Sequence, residues 1–241
     1  MKARGGKSIY GAAVGILMLD ARFPRIVGDM GNALTWPFPV HYKIVHGASP
    51  DRVVRRNAEG LLDVFIDAAR ELVEDGVDGI TTNCGFLSLF QEELAEAVGV
   101  PVATSSLMQV ALVNRLLPKT KRAGILTISA STLTPLHLEK AGVPAGTPVG
   151  STEAGCEFTR VILGNEEELD IEAARRDNVE AALRLARANA DLGAIVLECT
   201  NMIPYAADIR EATGLPVFSI ASFVEWFQSS LQPRRFRQAS A

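Results

Sequence analysis

The sequence predicts an α/β protein made of two similar open, mainly parallel-sheet lobes, related by a pseudo-twofold axis, with the active site in the cleft between them. Three observations support this prediction. The 241 residues have an ordinary globular composition, with 48% hydrophobic and 22% charged residues. Short apolar runs alternate with amphipathic stretches, as strands alternate with crossover helices. Finally, one strand-helix-strand pattern of the first half recurs in the second half.

Seven short apolar runs are interpreted as strands, because the strands of a parallel sheet covered on both faces are almost continuously apolar. They span residues 13–19, 40–45, 79–83, 102–104, 124–128, 194–198 and 217–219. Basic residues 2, 4 and 7 precede the first run and give it the outline of a secretory signal. No convincing small-x-small cleavage site follows Leu19, so we interpret this run as a buried strand and expect a cytoplasmic protein.

Two long helices are predicted between the strands. The first begins at Ser49, which can cap free N–H groups, continues through Pro50 at the tolerated first position, and keeps apolar residues at helical spacing to Val73 before Gly76. The second opens with Asn165 and three glutamates and runs towards residue 191. Its acidic start suits the positive end of a helix dipole.

An internal repeat is anchored on Cys84 and Cys199. An isoleucine lies four residues before each cysteine, and a glycine, Gly99 or Gly214, lies fifteen residues after it. Both halves therefore read Ile-x3-Cys-x14-Gly-(Val/Leu)-Pro-Val, and upstream, residues 15–20 resemble residues 124–129. The repeat predicts a first lobe from residues 1–105 with 217–241 and a second lobe from residues 106–216.

Each of these cysteines stands at the predicted carboxyl end of a strand, where open parallel sheets bind ligands. If the lobes face each other, Cys84 and Cys199 approach the cleft from opposite sides. Inverting a stereocentre needs a base on one face and an acid on the other, and two thiols can exchange these roles. A helix N-terminus after each cysteine would lower its thiol pKa. The pattern predicts a racemase or epimerase acting next to a carboxylate or carbonyl, and this scheme requires no cofactor.

The segments Thr82-Asn83-Cys84-Gly85-Phe86 and Glu198-Cys199-Thr200-Asn201-Met202, in a repeated α/β chain of this length, resemble the aspartate/glutamate racemase superfamily, which includes hydantoin racemases. The resemblance covers nearly the whole chain. It implies cofactor-independent racemisation of an acidic amino acid or a hydantoin-like substrate, with the two cysteines as the acid/base pair.

The residues beside the cysteines depart from the amino-acid racemases. There the first cysteine is typically followed by Asn-Thr and the second by Thr-His, whereas this chain has Gly85-Phe86 and Thr200-Asn201, with Asn83 before the first cysteine. These departures argue against ordinary glutamate racemase activity and leave hydantoins and other modified substrates open. We expect all five residues to bind substrate, Gly85 and Phe86 through their backbone N–H groups.

Four further residues are candidate substrate ligands. Asp20 and Ser129 occupy equivalent strand ends facing the predicted cleft, and the superfamily resemblance would also place Ser131 near substrate. Residues 21–39 form a long loop that leaves the first strand at its carboxyl end and could cover the cleft. Arg22 or Arg25 would then bind a substrate carboxylate with two hydrogen bonds, and we choose Arg25.

Composition and spacing exclude several classes of partner. The formal net charge of -4 offers no positive field for nucleic acid. The three histidines show no ligand spacing, so no metal site is expected, and no apolar run approaches the length of a membrane span. We expect a small carboxylate or hydantoin-like molecule as the partner, with a homodimer as a possible assembly. Cys156 has no counterpart in the other half and is interpreted as a small buried hydrophobe.

Two alternatives to racemisation stay open at this point. A maleate-type cis-trans isomerase would use one thiolate to attack an alkene. A two-lobed protein could also bind a small molecule without catalysis. The matched cysteines favour an enzyme over a binding protein, and they disfavour a decarboxylase that uses a single cysteine.

Overall fold

The computed structural model describes residues 5–236, in which two four-stranded parallel sheets have the orders β2-β1-β3-β4 and β6-β5-β7-β8. The strands are β1 Val14–Leu19, β2 Val40–Val45, β3 Gly79–Thr82, β4 Val102–Ala103, β5 Arg122–Thr127, β6 Val149–Ser151, β7 Leu192–Leu197 and β8 Val217–Phe218. The helices are α1 Leu62–Asp75, α2 Gln91–Val98, α3 Val110–Leu116, α4 Pro135–Lys140, α5 Phe158–Gly164, α6 Ile171–Ala188, α7 Ala206–Thr213 and α8 Ile220–Leu231. The predicted fold class is confirmed.

The two sheets repeat one topology, because adding four to each strand number of the first sheet gives the second. The central strands β1 and β5 are almost wholly buried, as continuous apolar runs covered on both faces should be. The glycines of the repeat also match. Gly99 and Gly214 end α2 and α7 in the left-handed conformation, with φ of 68° and 70°, which a residue without Cβ adopts at little cost.

Two predicted helices have different bounds. The helix expected from Ser49 is a π-helical turn, Asp51–Arg55, followed by a break before α1. The break is made by Asn57, Ala58 and Gly60, whose φ values are positive and incompatible with a continuous right-handed helix. The second helix begins at its N-cap, Asp170, since Asn165 instead ends α5 in the left-handed conformation.

One strand was not predicted from the sequence. Strand β6 consists of Val149, Gly150 and Ser151 at the edge of the second sheet, so it has neither the length nor the apolar run that identified the others. Within residues 5–236 its one strand partner is β5.

The chain crosses between the lobes near its C-terminal end. Val217–Phe218 pairs with β7, so these two residues lie in the second sheet although we assigned them to the first lobe. Helix α8 does return to the first lobe, where Val224 and Phe227 pack in one apolar cluster with Val14 and Ile16 of β1. Residues 1–4 and 237–241 of the proposed first lobe, including the basic positions 2 and 4, lie outside the described residues. Within the described range, the helices are too short or too polar to cross a membrane.

Candidate active site

Cys84 and Cys199 lie at equivalent strand ends and line one cavity between the lobes. Cys84 follows β3 and caps the 3-10 helix Gly85–Phe90, and Cys199 follows β7 and caps the 3-10 helix Thr200–Tyr205. Both thiols are buried. The walls leave a volume of about 20 Å³, which is room for about one water molecule, so a larger ligand would have to move the walls apart.

The walls of this cavity are mostly apolar. Residues with aliphatic or aromatic side chains from both lobes line it: Leu19, Phe23, Pro50, Val54, Phe86, Ile128, Ile162 and Leu163. Polar lining comes from the residues at and beside the two cysteines: Asn83, Gly85, Glu198, Thr200 and Asn201. A reaction between these walls would take place largely out of water, where charges interact strongly.

The residue before each cysteine joins two neighbouring strands in the same way. Asn83 Oδ1 accepts the N–H of Leu19 at 2.7 Å. Glu198 accepts the N–H of Ile128, the counterpart of Leu19 in the repeat, and the hydroxyl of Thr127 at 2.6 Å. Glu198 is therefore the second-lobe equivalent of Asn83, with a carboxyl group where the first lobe has an amide.

The Glu198 carboxyl group is wholly buried. Burial raises its pKa to about 7, against the lowering effect of its hydrogen bonds to Thr127 and Ile128. Its second oxygen, Oε1, has no hydrogen-bond partner among the described residues. Gly85 packs closely against Glu198. A Cβ at position 85 would lie 2.5 Å from the backbone carbonyl oxygen of Glu198 and would also meet its carboxyl group.

Both thiols have raised pKa values, contrary to the lowering that we expected from the helix ends. Burial is the largest cause for each, and the negative charge of Glu198 is the second. The backbone N–H groups of Phe86 and Leu87 and the charge of Arg25 partly offset this at Cys84. At Cys199 the N–H of Asn201 lowers the pKa, while the charges of Cys84 and Asp29 raise it further. Both thiols are therefore protonated at neutral pH, and only Cys84 has a positive charge, that of Arg25, among the groups that favour its thiolate.

The loop of residues 21–39 brings an arginine beside the thiols. The Arg25 guanidinium lies over the Phe23 ring, 4.6 Å from its centroid, and Phe23 lines the cavity. Arg25 Nη1 pairs with Asp29 Oδ1 at 2.9 Å, whereas the buried Nη2 lacks a hydrogen-bond partner in the described chain. Asp29 also accepts a hydrogen bond from the Asn201 side chain, so the loop is tied to the second lobe.

The structure brings six of the nine predicted substrate ligands together at the cavity: Asn83, Gly85, Phe86, Thr200 and Asn201 as lining residues, and Arg25 beside them. It does not bring the other three there. Asp20 faces His46 and the N–H of Gly47 at an exposed edge. The hydroxyls of Ser129 and Ser131 are held by the carboxylate of Glu153, which draws both away from the cavity.

Other residues of the site were not anticipated. Glu198 could have been found from an acid that interrupts an apolar strand directly before a repeated cysteine. Asp29 and Phe23 gave no such signal, because their position depends on the path of the loop. Arg22, the other loop arginine, is exposed and contacts Glu167. The interpretation of Cys156 as buried was wrong, since that thiol is exposed.

Sequence relatives of the chain carry one name. It is 29% identical over 239 residues to a dimethylsulfoniopropionate lyase of Durusdinium sp. clade D, covering 91% of this chain and 75% of the relative. It is 30% identical over 224 residues to dimethylsulfoniopropionate lyase 3 of Emiliania huxleyi (strain CCMP1516), covering 86% of this chain but only 56% of the relative. No family model matches the chain.

Solved structures with a similar fold have other names. Unliganded arylmalonate decarboxylase matches with a TM-score of 0.54 at 16% identity, covering 95% of this chain and 97% of that one. Glutamate racemase from Bacillus anthracis matches with a TM-score of 0.59 at 15% identity, covering 92% and 85%. Allantoin racemase from Pseudomonas fluorescens matches with a TM-score of 0.53 at 17% identity, covering 94% and 100%. At such identities, the likeness shows a common fold.

Proposed function

Because this chain has the fold of the aspartate/glutamate racemase superfamily, we propose that it is a cysteine-dependent enzyme that removes the proton next to a carboxylate and expels a substituent from the adjacent carbon. The substrate is dimethylsulfoniopropionate or a closely related β-sulfonium carboxylate. One observation carries the proposal: two buried thiols line a single, mostly apolar cavity, and Arg25, which has a nitrogen without a partner in residues 5–236, stacks on the cavity residue Phe23.

The names of the sequence relatives favour elimination over racemisation. They align with 91% and 86% of this chain. In dimethylsulfoniopropionate the carbon next to the carboxylate bears no stereocentre, so only loss of the β-sulfonium group gives a new product after proton removal.

The proposed reaction uses one thiolate as a base. Its sulfur takes the proton from the carbon next to the carboxylate, and the electrons of that C–H bond form the new double bond. The bond to the sulfonium sulfur breaks and its electron pair leaves with sulfur. The products are acrylate, dimethyl sulfide and a protonated thiol, which returns its proton to solvent before the next turnover.

The surroundings of the two thiols suggest which one is the base. Cys84 has two backbone N–H groups and Arg25 to stabilise its thiolate, whereas Cys199 faces additional negative charge. We assign the proton removal to Cys84. The free nitrogens of Arg25 and Asn83 are donors that suit the substrate carboxylate, and a carboxylate held by such donors stabilises the negative charge that develops on the adjacent carbon.

Racemisation or epimerisation is the second candidate. It is favoured by the equivalent positions of Cys84 and Cys199 on opposite lobes, since inversion requires a proton carrier on each face. The chiral substrate would again carry a carboxylate or carbonyl next to the reacting carbon, as an acidic amino acid or a hydantoin does.

The test is to incubate the purified protein with dimethylsulfoniopropionate in deuterated water. Gas chromatography of the headspace measures dimethyl sulfide, and proton magnetic resonance measures acrylate. A parallel panel of acidic amino acids and hydantoins is followed by chiral analysis and by mass spectrometry for deuterium. Equal amounts of dimethyl sulfide and acrylate support the lyase. Deuterium entry with inversion, but no dimethyl sulfide, supports the racemase, and neither reaction from folded protein overturns both.

A further inference from the structure

Three buried polar atoms have no hydrogen-bond partner in the described chain: two belong to the cavity residues Asn83 and Glu198, and the third belongs to Arg25, which stacks on the cavity residue Phe23. Arg25 Nη2 and Asn83 Nδ2 are hydrogen-bond donors, and Glu198 Oε1 is an acceptor; each is buried and unpaired as far as the chain is described. Buried polar groups are nearly always satisfied in folded proteins, so three exceptions around one cavity need an explanation. A ligand with a negative end and a positive end would satisfy all three.

The Glu198 carboxyl group is not needed to hold the strands together. Asn83 occupies the equivalent place in the first lobe and accepts the equivalent N–H group with a neutral amide. An amide side chain at position 198 could therefore accept the same backbone N–H group without carrying a charge. Burying a carboxylate is costly unless it meets a positive charge, and Arg25, the cation beside the site, is already paired with Asp29.

We propose that Glu198 is the counter-charge for a cationic group on the substrate, and that the site selects zwitterions whose carboxylate is bound by Arg25 and Asn83 and whose other end is a sulfonium or quaternary ammonium. This inference rests on the proposed function, because it places the reacting carbon of that substrate between the two ends. It adds a specificity-determining residue that the two-thiol scheme does not contain.

The cavity walls suit such a cationic group. In a sulfonium or quaternary ammonium group, methyl groups surround the charged atom. Such a group therefore packs against apolar surface and is attracted to aromatic rings. Phe86 and Ile128 lie in the walls together with Glu198. The Phe86 ring is fixed in place by an edge contact with His137, with 5.0 Å between the ring centroids.

A cation at Glu198 also changes the thiols. The Glu198 charge raises the pKa of both Cys84 and Cys199 in the ligand-free protein. A substrate cation beside Glu198 neutralises that charge and favours ionisation of the thiol that acts as base. A neutral molecule of the same shape leaves the thiols protonated, so charge recognition and base formation are coupled.

The experiment compares two unreactive ligands of the same shape, 3-(trimethylammonio)propionate and 4,4-dimethylpentanoate, which differ in the charge of the branched end. Calorimetry on the full chain at pH 8 should show at least about a tenfold tighter Kd for the cationic ligand, equivalent to about 1.4 kcal/mol. The Glu198→Gln variant should lose this preference. Equal binding of the two ligands by the parent protein, or an unchanged preference in the folded variant, overturns the inference.

A matched control removes a carboxylate of the same lobe that lies away from the cavity. Glu153→Gln changes a residue bound by serine hydroxyls near the end of β5, and this variant should keep the parental preference. Loss of the preference in both variants would mean that Glu198 has no specific effect and would overturn the inference.

The parent protein provides a second measurement should Glu198→Gln fail to fold. Between pH 6 and 8 the preference for the cationic ligand should grow as Glu198 ionises. The titratable groups next to Glu198 are the two thiols, which stay protonated over this range in the absence of a cation, with Arg25 and Asp29 beyond them. A preference that does not vary with pH overturns the inference. Because neither ligand reacts, absence of lyase activity would defeat the proposed function and leave this result standing.

Discussion

Arg25 and Asp29 form a buried ion pair, with 2.9 Å between Nη1 and Oδ1 and side chains that are 15% and 3% exposed. The pair fixes the arginine beside Cys84, and Asp29 extends the contact to Asn201 of the other lobe. Phe23 of the same loop lines the cavity, so the loop of residues 21–39 contributes to its wall. Its other arginine, Arg22, has a side chain that is 76% exposed and provides a natural control.

Arg25→Lys should raise KM for a carboxylate substrate by about tenfold with a smaller change in kcat. Lysine keeps a positive charge for Asp29 but loses the planar fork that can bind Asp29 and a carboxylate together. Steady-state kinetics with dimethylsulfoniopropionate measure the change. Arg22→Ala should leave KM unchanged, and an unchanged KM in Arg25→Lys would mean that Arg25 does not bind the carboxylate.

Replacing the thiols separates the two candidate reactions. Cys84→Ser should lower lyase turnover by at least about 100-fold, because an alcohol is a much poorer acid than a thiol and cannot supply a comparable base. If the enzyme is a racemase, neither Cys84→Ser nor Cys199→Ser should invert the substrate. Each variant should still exchange the substrate proton with solvent, but only from one enantiomer, and the two variants should prefer opposite enantiomers. Cys156→Ser should keep most activity. Parental turnover in a folded Cys84→Ser protein would rule out Cys84 as the base.

The three thiols should react with iodoacetamide in a fixed order. Cys156 is exposed and should be alkylated first, while burial and the Glu198 charge keep Cys84 and Cys199 protonated and unreactive. Peptide mass spectrometry of samples taken over time at pH 7.5 gives the order. Alkylation of Cys156 alone should leave turnover intact. Rapid labelling of Cys84 before Cys156 would show that the cavity thiol is ionised at rest.

Glu198→Gln should stabilise the fold above pH 7 and change it little at pH 5. The pKa of Glu198 rises from its ordinary 4.5 to about 7 on folding, so the folded state binds more protons than the unfolded state between these values. Stability therefore falls as pH rises through this window, by up to about 3 kcal/mol. Thermal unfolding at pH 5 and pH 8 should show a gain in Tm for the variant at pH 8.

Glu153→Gln should have the opposite pH dependence. Burial alone would raise the Glu153 pKa, but hydrogen bonds from Ser131, Ser151 and Ser129 outweigh it and lower the pKa. The ionised carboxylate thus stabilises the fold above the unfolded pKa, and this stabilisation is lost as pH falls. The variant should therefore be weaker than the parent at pH 8 and similar to it at low pH. A gain in Tm at pH 8 for both variants would contradict the assignment to Glu198.

Gly85→Ala should destabilise the fold by about 1–3 kcal/mol and lower activity, because its Cβ would meet the carbonyl and carboxyl oxygens of Glu198. Urea unfolding measures the loss. Gly5→Ala is the control, since nothing lies within 4 Å of a Cβ there. Full stability in Gly85→Ala would mean that the two lobes can separate at this contact without cost.

Residue order and spacing are enough to predict the two-lobed architecture and the position of the thiols. A repeated spacing around Cys84 and Cys199 implies repeated strand-helix-strand units, and the carboxyl ends of parallel strands meet at one edge of a sheet. Those relationships depend on chain order and periodicity, which are local properties. For the same reason, spacing along the chain is enough to pair Gly99 with Gly214, the glycines that end α2 and α7.

The chemistry of the site depends instead on contacts between residues that are distant in the sequence. Burial raises the pKa of both thiols against the helix ends that follow them, and the carboxylate of Glu153 holds Ser129 and Ser131 away from the cavity. The choice between Arg22 and Arg25, and the position of the Glu198 carboxyl group at the cavity, depend on how a loop and two lobes pack. Charge, desolvation and hydrogen bonding arise from neighbours distant in sequence, and spacing along the chain does not encode them.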